Sequence, residues 1–261
     1  MNEPNLSTWN GYAQGTFAPG RCSNYIGNCS AGNSGTEPYI VGHNLLLSHA
    51  AVVHLYRHKY KRFQHGIIGM ALATTWVLPI NGSSASRRAA SRSLDFSIGW
   101  FMDPITSGDY PKSMRAIVGK RLPKFERKQS HLLKDSFDFI GLNYYTTYYA
   151  YNTPTTGNKL SYTTDSQSTL TRVGDLSSEP IKKSLNDTWR IDYLRGHLFY
   201  LHESIQGGGN VQGYFVWSFL DDFEWNSGYT VRFGLTLIDY NNGLKRYPKR
   251  SALWFKGFLT K

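Results

Sequence analysis

Two periodicities alternate along this chain of 261 residues, and that alternation restricts its fold more than any other feature. Stretches with apolar residues three and four apart give way to short apolar runs, then return. Tyr39 to Tyr60 (YIVGHNLLLSHAAVVHLYRHKY) reads as a helix with Leu46, Ala50, Ala51 and Val53 near one face. Gly66 to Ile80 (GIIGMALATTWVLPI) follows as a buried strand ending near Trp76. Arg87 to Phe101 regains helical spacing through Leu94, Ile98 and Phe101, and Pro104 is expected to stop it. A short helix over Ser113 to Arg121 and another starting near Glu126 precede a strand from Phe137 to Tyr149 (FDFIGLNYYTTYY).

From Asn152 to Pro180 the composition turns to Thr, Ser, Gly and Asn with no apolar period, which reads as a long loop. Asn186 or Asp187 then caps a helix marked by Ile191, Leu194, Leu198, Leu201 and Ile205, and Gly207 to Gly209 ends it. Val211 to Leu220 (VQGYFVWSFL) reads as another buried strand, and Tyr247 to Leu259 as a final helix. Helices alternating with buried apolar strands predict an α/β protein with parallel strands. Only three strands are clear, too few for a closed sheet. No repeat, low-complexity block or second domain is visible, so residues 1–261 read as one unit.

Apolar residues make up 40% of the chain and aromatics 15%, enough for a packed core and against disorder. The net charge of +11 formally admits nucleic acid as a partner. The charge is scattered, however, and its densest run, Arg57 to His65, sits where a helix ends and cations suit the dipole. No nucleic-acid-binding motif accompanies it, so a basic solvated surface is expected. No run approaches the roughly 20 apolar residues of a membrane span. Cys22 and Cys29 lie in a Gly-, Asn- and Ser-rich loop and read as a local disulfide or as two free thiols. Sequons at Asn5, Asn28, Asn81 and Asn186 fit secretion, yet MNEPNLSTW has no apolar signal-peptide core. That conflict predicts that the true N-terminus is missing.

Two motifs carry candidate chemistry. Asn2-Glu3-Pro4 is short and weak. The run from Trp217 through Phe223-Glu224-Trp225 to Tyr229 (WSFLDDFEWNSGY) is long and specific, and a carboxylate between two aromatics rarely sits there without a partner. With GYAQGTFAPGRC, AGNSGTEPY, WFMDPITSGDYPKSM, FDFIGLNYYT and LKRYPK, these motifs resemble plant β-glucosidases of glycoside hydrolase family 1 nearly end to end. The resemblance implies a (β/α)8 barrel and retaining hydrolysis of β-glucosides, which needs two carboxyl groups about 5–5.5 Å apart and no metal or organic cofactor.

Carried over residue by residue, Glu3 matches the family's acid/base and Asn2 the group bonded to the sugar 2-hydroxyl. Asn143 and Tyr145 match a pair whose tyrosine contacts the nucleophile. Trp217 matches the platform under the sugar, Glu224 with Trp225 beside it the grip on the distal hydroxyls, and Trp76 an aromatic on the aglycone side. Cys22 and Cys29 match a disulfide of plant members. Family members are secretory, vacuolar or plastid proteins, which leaves the compartment of this chain open.

The nucleophile of the family sits in a T-E-N-G strand between the N-Y-Y-T and W-S strands, and no T-E-N-G occurs here. The other glutamates have other contexts: Glu37 in a loop, Glu126 and Glu203 on helices, Glu179 in a polar loop. The resemblance thus implies an incomplete barrel, without the first strands or the seventh, and a chain with little or no activity. Its alternative role is a non-catalytic form that associates with full-length paralogues.

Overall fold

The computed structural model describes residues 1–155, 157, 159–172 and 184–260. They divide into two compact units, Met1–Asp175 and Leu176–Lys261.

In the first unit, the apolar run becomes strand β1 (Gly69–Pro79) and the aromatic run becomes β2 (Phe139–Asn152), paired in parallel from Gly69↔Phe139 to Pro79↔Ala150. The start of the chain joins the same sheet. Ala71 N–H donates to Met1 O, and Glu3 N–H to Ala71 O. Helices follow the strands as the alternation requires: Glu37–Leu55, carried on by a π turn to Gln64, then Ser84–Leu94, Trp100–Ser107, Lys112–Val118 and Arg127–Leu133. Their apolar faces meet the strands in one core that includes Tyr39, Leu46, Met70, Leu72, Trp100, Phe101, Ile105 and Met114. Cys22 and Cys29 form a disulfide. Among the described residues no helix is long and apolar enough to cross a membrane.

Several expectations need correction. Pro104 lies inside the helix Trp100–Ser107, which ends at Gly108 in the left-handed conformation (φ 88°). The burial of Trp100, Phe101 and Ile105 outweighs the one backbone bond a proline forfeits. Glu37 is the first residue of its helix rather than a loop residue. The polar stretch after Asn152 is not all loop: Tyr162–Asp165 makes one helical turn, and Ser168–Arg172 forms β3, antiparallel to the end of β2. Part of that stretch lies outside the described residues. The sequon asparagine Asn5 is buried, its Nδ2 donating to Ala73 O at 2.7 Å and its Oδ1 accepting from Ala73 N–H at 3.3 Å. In the folded chain it is no sugar acceptor. Asn5→Ala orphans both Ala73 groups and should cost about 1–3 kcal/mol, seen as a lower urea midpoint.

In the second unit, the helix Thr188–Gln206 starts after Asp187, but the Asp187 carboxylate makes no cap bond. It accepts instead from Ser251 N–H at 2.9 Å and Ser251 Oγ at 2.6 Å, tying this helix to the helix Arg250–Leu259. Tyr247, expected on that last helix, belongs to strand β5 (Lys245–Pro248), antiparallel to β4 (Thr236–Asp239). Val211–Leu220 is not a buried strand. Among the described residues no ladder pairs with it beyond a single bridge from Leu220 to Thr236, and Phe215 is 93% exposed. A strand needs a neighbour for its backbone groups, and apolar content alone does not supply one.

Candidate functional site

The expected site residues fall in both units, and each group is built locally. In the first, Glu3 follows the strand stub at the chain start and precedes Pro4, the first residue of the helix Pro4–Tyr12. Its backbone is left-handed (φ 45°, ψ 48°), a conformation that costs a non-glycine residue about 1–3 kcal/mol. The bond from Glu3 N–H to Ala71 O and those from Leu6 and Ser7 N–H to Glu3 O hold it there. The Glu3 side chain leaves its own helix uncapped and accepts from Asn143 Nδ2 at 2.9 Å. The same amide reaches Asn2 Oδ1 at 3.2 Å. Three predicted residues, some 140 apart in sequence, thus form one hydrogen-bonded cluster at the edge of β1 and β2.

Just beyond Asn143 the strand register breaks. Thr74 faces Tyr144 and Trp76 faces Thr147, so Thr75 alone opposes Tyr145 and Thr146. This bulge re-aims side chains, a device common beside active sites. Tyr145 sits within it and Trp76 next to it, both exposed.

In the second unit, Trp217 Nε1 donates to Glu224 Oε1 at 2.6 Å, bringing two predicted residues together. Trp225 follows with a left-handed backbone (φ 43°) and an exposed ring. Glu224 N–H donates to Gly228 O, which closes the turn. Burial pushes the Glu224 carboxyl above the usual carboxylate range, the neighbouring Asp222 carboxylate adds to that, and the Trp217 indole opposes it. Trp217→Phe removes the opposing donor, so the Glu224 pKa should rise further, measurable by carboxyl-carbon NMR titration. A fall or no change would exclude the bond as a determinant.

A residue with no assigned role in the sequence reading fastens this turn. Asp221 is buried beneath it, accepting from Gly234 N–H and Ile238 N–H and pairing with Arg232 at 3.1 Å and Lys249 at 3.4 Å. Lys249 is 1% exposed and also donates to Arg232 O. Its site is tight: a Cβ on Gly234 would lie 2.2 Å from Asp221 N, so only glycine fits. Asp221 and Lys249 lie within the quoted motifs WSFLDDFEW and LKRYPK, but nothing in the basic LKRYPK run marks its last lysine as buried, so the pair had no local signal.

The sequence profile of "Glycosyl hydrolase family 1" matches residues 1–179 and 168–261. The chain belongs to glycosyl hydrolase family 1. Beta-glucosidase 12 of Oryza sativa subsp. indica is 47% identical, over all of this chain and 61% of the relative. Beta-glucosidase 17 of Arabidopsis thaliana is 44% identical, over all of this chain and 60% of the relative. A crystal structure of a rice β-glucosidase superposes with a TM-score of 0.91 at 37% identity, covering 98% of this chain and 64% of that one. The fold of this family 1 chain is accordingly an incomplete (β/α)8 barrel of the α/β class. The chain spans about 60% of the length of these curated relatives. The span matched in the first relative is 310 positions against 261 residues here, a difference of 49. The two profile matches overlap at 168–179, so the family sequence is interrupted near that point.

Proposed function

We propose that residues 1–261 are a single partial catalytic domain of a β-glucosidase that keeps a proton donor and sugar grips but has no covalent nucleophile. Glu3 is the acid/base, with Asn2 on the 2-hydroxyl and Asn143 holding the carboxylate in place. Trp217 is the platform under the glucose, Glu224 with Trp225 grips its distal hydroxyls, and Tyr145 and Trp76 line the nucleophile and aglycone sides. The substrate class is a β-glucoside. The observation that carries the reading is the absence of T-E-N-G from the sequence. A retaining enzyme forms a bond from its second carboxylate to the anomeric carbon, and this chain has no counterpart for it.

A direct test uses an activated 2-deoxy-2-fluoro-β-glucoside, which leaves its sugar on the nucleophile of retaining enzymes. The intact mass of this chain should stay unchanged after incubation. A stoichiometric glycosyl adduct on any carboxylate overturns the proposal.

A further inference from the structure

The sequence holds four Asn-x-Ser/Thr triplets, at Asn5, Asn28, Asn81 and Asn186, and such triplets accept N-linked sugar in secreted chains. The fold separates them. An N-linked sugar chain is bulky and strongly hydrated, so the nitrogen that carries it must face solvent. Asn5 fails, being 7% exposed with both ends of its amide bonded to Ala73. At Asn28 the middle residue of the triplet, Cys29, is tied to Cys22. At Asn186 three consecutive residues are fastened to the last helix. Leu185 O accepts from Arg250 N–H, Asn186 Oδ1 from Arg250 Nη1, and the Asp187 carboxylate from Ser251.

Asn81 differs. Asn81, Gly82 and Ser83 are all exposed, between the end of β1 and the helix Ser84–Leu94. Asn81 Oδ1 accepts from Ser83 N–H at 3.1 Å and from Ser86 Oγ at 2.9 Å. A backbone N–H can only donate, so this bond fixes which end of the amide is the oxygen. The Nδ2 end donates no hydrogen bond among the described residues. The turn from the asparagine oxygen to the N–H two residues on draws the third residue of the triplet toward the amide. A Cβ on Gly82 would meet nothing within 4 Å, so the space beside the turn is open. Ser83 Oγ accepts from Ser86 N–H at 3.1 Å and so caps the helix without using the nitrogen.

We propose that Asn81 is the acceptor of an N-linked oligosaccharide and that the other three triplets stay bare. The donor is an oligosaccharide carried on a lipid pyrophosphate. The bond from Asn81 Nδ2 to the sugar's C1 forms as the C1–O bond to the pyrophosphate breaks. Nδ2 loses one proton, and the lipid pyrophosphate leaves with the electron pair. The product keeps Oδ1 as acceptor for Ser83 and Ser86, so the turn survives the modification. The disulfide supports the setting, because a bond such as Cys22–Cys29 persists in the oxidising compartments through which secreted chains pass. A sugar chain on Asn81 stands whether or not the protein has a nucleophile.

The test secretes the full chain from a eukaryotic host and digests it with a peptide N-glycosidase in heavy-oxygen water. Each sugar-bearing asparagine becomes a heavy-oxygen-labelled aspartate. Tandem mass spectrometry of the peptides should find the label at Asn81 and at no other triplet. Asn81→Gln should remove both the label and the whole electrophoretic shift that the glycosidase causes in the parent chain. Ser83→Ala should do the same, whereas Ser83→Thr, which keeps a hydroxyl for the triplet and for the cap, should keep full occupancy. An unlabelled Asn81, label at Asn5, Asn28 or Asn186, or a shift that survives Asn81→Gln each overturns the proposal.

Discussion

An aryl β-glucoside incubated with the purified chain is expected to release no more aglycone than buffer does, and Glu3→Gln is expected to change nothing. In a complete retaining enzyme the acid/base contributes about 100- to 10,000-fold, so the same substitution there is severe. Catalytic groups that act as a unit are not additive, and removing one key member costs about as much as removing all. Glu3 keeps its bond to Asn143, but proton donation alone cannot break the glycosidic bond at a useful rate. The other glutamates are occupied or remote in context. Glu37 is bound to Arg21 at 2.7 Å, Glu126 caps the helix Arg127–Leu133, and Glu203 projects from the helix Thr188–Gln206. Glu179 lies outside the described residues. Aglycone release that Glu3→Gln abolishes would refute the expectation.

The parts of the fold legible in the sequence are those fixed by local pattern. The helix from Glu37 and the strands β1 and β2 emerge close to where their apolar periods place them, because burial of one face or of a whole run decides each. The disulfide was legible as one of two readings, since a short flexible loop lets the thiols meet. What failed depended on partners distant in sequence. β3 was hidden because Ser168, Thr169 and Thr171 carry no apolar signal, and its pairing with Ala150 and its neighbours supplies what composition does not. Val211–Leu220 was misread for the converse reason, being apolar without a ladder beside it. Asp187 has the position of a cap, yet Ser251, 64 residues on, is its better partner. The site divides the same way. Glu3 alone is an ordinary terminal carboxylate, and only Asn143, 140 residues away, gives it a setting. Family resemblance located that pair, and no local rule would have. Asp221 and Lys249 belong with what failed: three of the six residues of LKRYPK are basic, nothing in it marks Lys249 as buried, and its carboxylate partner lies 28 residues earlier.

Asp221→Ala should be the most destabilising single change in the second unit, by about 3–5 kcal/mol. The carboxylate serves two cations and two backbone N–H groups at once. Without it, Lys249 remains 1% exposed with only a carbonyl for company, and the Arg232 guanidinium loses its counter-charge and keeps only its bond to Ile238 O and the Tyr240 ring. Lys249 already sits below the ordinary lysine range, first because of burial, then because of Arg190, while Asp221 opposes the fall. Removing that opposition lowers it further. A lysine whose folded pKa lies below its unfolded value binds fewer protons in the folded state, so folding gains as pH rises through that interval. The variant should therefore regain part of its lost stability between neutral and alkaline pH, and more of it than the parent chain gains. Lys249→Met, which keeps the volume and removes the charge, should cost less, because Asp221 retains Arg232 and both backbone donors. Urea denaturation followed by hydrogen exchange in Thr188–Gln206 and Arg250–Leu259 separates these outcomes. Equal losses for the two variants, or an Asp221→Ala stability that falls with rising pH, would mean that the buried lysine is not held by this carboxylate.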